Sequence, residues 1–240
     1  MSYVWEQMRG AIPLIAHGDP YIMGLLWVTI RVALVSTASA LVIGLPIGLA
    51  LGLGRFRGRR ALQILANASL ALPAVVVGIA VLLLLLPTGA LGSLQIEFSL
   101  TAVYVVQAIL ALPYIVALTP AAIQALPPGL LAQARALGAG RVQLSVLALR
   151  EAKIGMVAAV IAALGATISE VGAVVIVGGN FQGHDETLAS ALLEQFNYTA
   201  HEPYATAIAL VLLALILVLI AALTVVQQRT SGIQLRFRTA

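Results

Sequence analysis

The chain has 240 residues, of which 61% are hydrophobic and 9% charged, against about a quarter charged in ordinary soluble domains. That composition excludes a soluble fold. Apolar stretches near or above the roughly 20 residues of a spanning helix use up residues 1–240 as a single membrane domain, and the absence of cysteine removes thiol chemistry, disulfides and thiolate metal sites. The net charge of +4 does not imply nucleic acid, because the basic residues sit in short loops beside apolar stretches, where they set orientation.

Five spans are predicted, in an all-α integral membrane fold. The first covers about residues 22–53; Ala38-Ser39-Ala40 inside it resembles a signal-peptidase site, but Arg31 interrupts the supposed core and apolar residues continue beyond it, so no cleavage is expected. The second, 61–87, carries Pro73, and the third, 98–126, carries Pro113 and Pro120. Proline removes backbone donors, which suits a packed bundle more than isolated anchors. The fourth, 154–178, has Ala158, Ala162 and Ala166 on one helical row with Ala159 and Ala163 beside it. Small residues let helices approach closely, so this span is expected at the centre of the bundle. The fifth, 204–226, is nearly featureless and is expected to face lipid or a neighbouring subunit. There is no convincing internal repeat, which weighs against an inverted-repeat transporter.

Charge placement fixes the expected orientation, because lysine and arginine are retained on the cytoplasmic side. Arg55, Arg57, Arg59 and Arg60 share one connection, Arg135, Arg141, Arg150 and Lys153 another, and Arg229, Arg236 and Arg238 the tail. Glu6, Asp19, Glu97, Asp185, Glu186, Glu194 and Glu202 fall on the opposite side, with Arg9. The N-terminus is therefore expected outside and the C-terminus in the cytoplasm. Tyr21 and Tyr204 then lie at outer span ends, where aromatic residues favour the lipid-water boundary.

Catalytic chemistry finds little support. The single lysine, Lys153, follows no glycine run, so the chain has no phosphate-binding loop. His17, His184 and His201 lie outside the spans and form no metal-ligating spacing; His184-Asp185-Glu186 reads as a solvated loop. No serine stands in a nucleophile elbow. No catalytic, metal or cofactor site is expected in this chain.

The cytoplasmic connection, 127–153, is not composed like a linker. Leu130 to Leu137 and Val142 to Leu149 have apolar residues at helical intervals, separated by Gly138-Ala139-Gly140, and read as two short amphipathic helices with a glycine turn. Within it, Ala132-Gln133-Ala134-Arg135-Ala136-Leu137-Gly138-Ala139 resembles the coupling-loop motif of type I ABC importer permeases, E-A-A-x-x-x-G. Ala134 and Gly138 match; Ala132 stands in the glutamate position and Gln133 in the next. Ile168 to Asn180, with Ser169-Glu170-Val171-Gly172-Ala173 and Val177-Gly178-Gly179-Asn180, resembles the fourth-span signature of oxyanion permeases, closest to the tungstate type beside molybdate and sulfate types. The resemblance covers roughly residues 22–226. It implies the type I importer permease fold, a second copy of the chain, cytoplasmic ATPase subunits that bind ATP and magnesium, an extracytoplasmic oxyanion-binding protein, and a prokaryotic inner membrane. The helix around Ala132 to Ala139 would dock on the ATPase.

Two charged residues lie within spans. Arg31 and Glu170 sit at similar expected depths, roughly 12 to 14 Å below the outer surface at 1.5 Å per residue. Buried charges in membranes usually pair, so one reading joins Arg31 and Glu170 across the first and fourth spans, beside Ser169 and Gly172. The other places Arg31 on the translocation path, where a guanidinium suits a divalent oxyanion. A channel or ion-coupled carrier is the competing function class, and only Arg31 and Glu170 would serve it.

Overall fold

The computed structural model describes residues 2–199 and 202–236; His201 and Arg238 lie outside them, as do the side chains of Arg229 and Arg236. Among the described residues all regular structure is helical. In chain order the α-helices are α1 (Ser2–Ala16), α2 (Pro20–Leu53), α3 (Arg59–Ser69), α4 (Ala74–Leu85), α5 (Leu100–Gln124), α6 (Leu130–Ala136), α7 (Arg141–Glu151), α8 (Lys153–Ser169), α9 (Gly172–Gly178), α10 (Leu188–Glu194) and α11 (Glu202–Arg236). Three of them, α2, α5 and α11, are long and apolar enough to cross a membrane alone, and five spans result if each of two bent helix pairs counts as one.

Two of the predicted spans are not continuous helices. The stretch 61–87 ends as α3 at Ser69 and restarts as α4 at Ala74. Pro73 has no N–H to donate and disfavours helical geometry in the residue before it, and its own backbone is extended, with ψ 121°. None of α3 is buried. The stretch 154–178 breaks at Glu170 and Val171, between α8 and α9. Helix α1, ahead of the first apolar stretch, was not foreseen.

The chain divides into two compact units. The first comprises Met1–Thr37, Leu72–Leu110 and Leu164–Val218. One of its cores joins Val32 of α2, Val81 and Leu85 of α4, Val103 and Val106 of α5, and Val174 and Val177 of α9. A second joins Ala11 of α1, Ile22 and Leu25 of α2, Leu188 and Ala191 of α10, and Ala207 and Ile208 of α11. Helix α1 is tied to α11 by Gln7, whose Nε2 donates to Glu202 Oε2 at 2.7 Å.

The second unit comprises Ala38–Ala71, Ala111–Ala163 and Leu219–Ala240. Here Gly44, Gly48 and Gly52 of α2 form a four-residue row against Ile115, Thr119 and Ile123 of α5. A Cβ at Gly48 would lie 2.6 Å from Thr119 Cβ, and one at Gly52 2.5 Å from Ile123 Cδ1. The absent side chains set the helix spacing, as small residues do in membrane bundles. Ala159 and Ala163 of α8 are buried against Ala40, Ala111 and Ile115. Of the two expected small-residue rows, Ala159 and Ala163 make the buried contact, while Ala158, Ala162 and Ala166 are half-buried. Helix α11 is largely uncovered, with 6% of its spanning window buried by its own chain.

Candidate functional site

In the second unit the connection 127–153 forms α6 and α7 with a turn between them. Helix α6 stops at a Schellman closure: Gly138 N–H donates to Arg135 O and Ala139 N–H to Ala134 O, both at 3.0 Å. That closure places Gly138 at φ +87°, a left-handed conformation that glycine adopts without the strain of a Cβ. Ala134 and Gly138, the two motif positions that match, are thus the acceptor and the hinge of one helix stop. Gly140 N–H donates to Gln143 Oε1 at 2.8 Å and opens α7. Leu144 faces inward, and Ala148 packs with Ile123, Leu49, Leu53 and Leu131, which seats α7 on its unit. No residue of α6 is buried, and Leu137 and Val142 are 89% and 76% exposed. The turn therefore offers two bare apolar side chains on a fixed backbone.

In the same unit, side chains of α3 and one of α6 reach the end of α2. Arg59 donates from Nε to Leu51 O at 2.6 Å and from Nη2 to Gly52 O at 3.2 Å. Gln63 Nε2 reaches Leu51 O at 3.2 Å and Arg135 Nη2 reaches Leu53 O at 3.5 Å. These carbonyls are the unpaired last acceptors of α2, and cations complement that helix end. Ala132, Gln133 and Ala136 lie on α6 without burial.

In the first unit the expected pair of Arg31 and Glu170 does not form. Among the described residues no Arg or Lys lies within 4.0 Å of a carboxylate, and the one basic-acidic contact is that of His184 Nδ1 with Asp185 Oδ1 at 3.5 Å. Glu170 instead accepts the N–H of Ala173 through Oε1 at 3.1 Å, holding the first turn of α9 after the break. Arg31 is exposed, with its guanidinium carbon 5.8 Å from the centre of the Tyr104 ring. Ser169 Oγ donates back to Gly165 O at 2.9 Å. Gly172 gives room to α4: a Cβ there would lie 2.5 Å from Val75 Cγ2.

At the end of the signature an exposed turn, Phe181 to His184, leads into buried carboxylates, which corrects the solvated-loop reading for Asp185 and Glu186 while His184 stays exposed. Asp185 and Glu186 are 0% and 2% exposed. Asp185 accepts the N–H groups of Asn180 (2.9 Å) and Phe181 (3.0 Å), so its carboxylate caps the turn that closes α9. Asn180 sits at φ +60° and its amide donates to Glu194 Oε2. Tyr21 hydroxyl donates to Glu186 Oε1 at 2.8 Å, and Tyr204 hydroxyl to Asp19 Oδ2 at 3.2 Å. Burial pushes the Glu186 carboxyl up to about 7, the Tyr21 hydrogen bond partly opposing it and the nearby Glu194 and Asp185 adding to it. Tyr21 and Tyr204 are therefore partners in a polar network as well as residues of span ends. Among the described residues no group of three or more His, Cys, Asp or Glu could hold a metal.

The family described as binding-protein-dependent transport system inner membrane component matches residues 44–232. The chain belongs to this family. As a binding-protein-dependent inner membrane component, it is the permease subunit of an ABC importer. A tungstate uptake system permease protein of Peptoclostridium acidaminophilum is 32% identical over 89% of this chain and 93% of that protein. A probable anion ABC transporter permease protein of Haloferax volcanii is 38% identical over 72% and 76%. A sulfate transport system permease protein of Salmonella typhimurium is 28% identical over 88% and 78%. In fold the permease resembles a chain of the inward-facing MetNI methionine ABC transporter, with a TM-score of 0.71 and 21% identity over 88% of this chain and 96% of that one.

Proposed function

We propose that this permease carries tungstate, or a closely similar tetrahedral oxyanion, into the cytoplasm of a prokaryotic cell. It works as a homodimer with two cytoplasmic ATPase subunits and an extracytoplasmic binding protein, with its N-terminus outside and C-terminus inside. Tungstate is favoured by the 32% identity over nearly the full length of a tungstate uptake permease. The Ser169 to Asn180 signature supports the same branch by its resemblance to tungstate-type permeases.

Ala132 to Ala139 form the docking element for the ATPase. The observation that carries this reading is the exposed, rigidly closed turn at Gly138, with Leu137 and Val142 bare beside it. The ATPase supplies the nucleotide chemistry, for which Lys153 provides no phosphate loop here.

The test is uptake into proteoliposomes that contain the permease, its ATPase and its binding protein, with tungstate, molybdate and sulfate in competition. ATP-dependent uptake preferring tungstate is expected. Preference for sulfate would move the permease to the sulfate branch, which the 28% identical Salmonella relative keeps as the second reading. Uptake without ATP would overturn the importer.

A further inference from the structure

Among the described residues, Arg31 is the one basic side chain inside the three helices long and apolar enough to cross a membrane alone. It lies eleven residues past the start of α2 at Pro20, roughly 16 Å along the helix at 1.5 Å per residue. Charged residues at such depth are costly and are retained where they pair or serve a path. Here the expected acidic partner is engaged elsewhere, since Glu170 accepts the Ala173 N–H. Arg31 has no hydrogen bond or ion pair of its own, and its guanidinium is left exposed.

What the structure does provide is a platform. The Tyr104 ring lies 5.8 Å from the guanidinium carbon, a separation at which the ring face attracts a cation. Tyr104 is in turn held by α2, whose Ser36 Oγ donates to the Tyr104 carbonyl at 3.1 Å. The Tyr104 hydroxyl is buried without a hydrogen-bond partner. An aromatic face fixes the plane of a guanidinium while leaving its N–H edges available, and that planar fork matches two oxygens of a tetrahedral oxyanion. A single unpaired cation also attracts a divalent anion without the donor cage that would trap it.

We propose that Arg31, positioned by Tyr104, is a transient contact for the transported oxyanion inside the membrane. The proposal rests on the oxyanion-importer reading and names a residue for it. A lipid phosphate offers the same tetrahedral oxygens, so the test must separate a passing anion from a headgroup.

The experiment compares tungstate uptake by the reconstituted transporter carrying wild-type permease, Arg31→Gln, Arg31→Lys and Arg31→Cys. The wild type tests the functional reading itself; the variant-to-wild-type ratio tests Arg31. Arg31→Gln is expected to lower uptake tenfold or more and Arg31→Lys less. The chain has no cysteine, so Arg31→Cys offers one permease thiol, and a cationic methanethiosulfonate reagent is expected to restore part of its uptake. Excess tungstate should slow modification of that cysteine by an anionic methanethiosulfonate reagent. Wild-type uptake by Arg31→Gln would overturn the proposal. So would loss of uptake in Arg31→Cys that the cationic reagent does not restore, or modification that phosphatidylglycerol content alters and tungstate does not. Either of the last two results would assign Arg31 to assembly or to a lipid headgroup. If Arg31→Gln does not assemble, the cysteine variant decides the matter in the same way.

Discussion

Glu186 shows how a residue's surroundings override its type. Its ordinary value of about 4.5 is raised to about 7, first by burial and then by Glu194 and Asp185, against the opposing hydrogen bond from Tyr21. The folded protein therefore holds this proton more tightly than the unfolded chain, and ionisation costs stability. That contribution is full below pH 4.5, declines as pH rises toward 7, and stays lost above it. In thermal unfolding of the purified protein, the midpoint difference between wild type and Glu186→Gln should move in favour of the variant over that window. A difference independent of pH would contradict it. The sequence does not reveal this, because an acidic run reads as solvated until the N–H groups of Asn180 and Phe181 are seen to converge on Asp185. Gly138 is the opposite case. Its glycine-flanked position marks a turn, and the structure adds the left-handed φ of +87°. Gly138→Val should cost about 1–2 kcal/mol locally, the price of that conformation for a residue with a Cβ, seen as faster amide exchange at Ala139 with little change elsewhere.

At the level of elements, α2 packs through what it lacks. The four-residue spacing of Gly44, Gly48 and Gly52 was not singled out in the sequence, and spacing alone does not say which neighbour fills the row. The structure supplies Ile115, Thr119 and Ile123. A Cβ at Gly48 meets Thr119 Cβ at 2.6 Å, so Gly48→Val should destabilise by roughly 1–3 kcal/mol through overpacking, whereas Gly24→Val, where nothing lies within 4 Å, should be far milder. Thermal midpoints in detergent would check the pair; equal losses would mean the row is not a contact. The broken spans were half legible. Pro73 announces a stop in 61–87, yet an apolar run is long enough for one helix either way. The break at Glu170 and Val171 has no proline or comparable breaker at the break itself, and it depends on a carboxylate reaching Ala173 N–H, which periodicity does not encode.

Across the whole molecule, composition is enough to give the membrane class, since 61% hydrophobic residues leave no soluble alternative. Three long helices and two bent pairs give up to five candidate spans, but the second bent pair joins α7, expected in the connection 127–153, to α8 and leaves out α9 of the expected stretch 154–178. The signature and coupling-loop resemblances agree with the family that matches residues 44–232. The helix stop at Ala134 and Gly138 was legible as a glycine turn because it is local, whereas the absent pairing of Arg31 with Glu170 was not, because it depends on distant side chains. If the exposed turn at Gly138 is where ATPase closure enters the permease, then the partner must be recoverable and must depend on that turn. The direct measurement is purification of the tagged permease in mild detergent, wild type and Gly138→Val, with identification of stoichiometric partners. The importer account predicts an ABC ATPase with the wild type and its loss from a folded Gly138→Val variant. Recovery of the wild-type chain alone, with transport in vesicles that lack ATP, would contradict it.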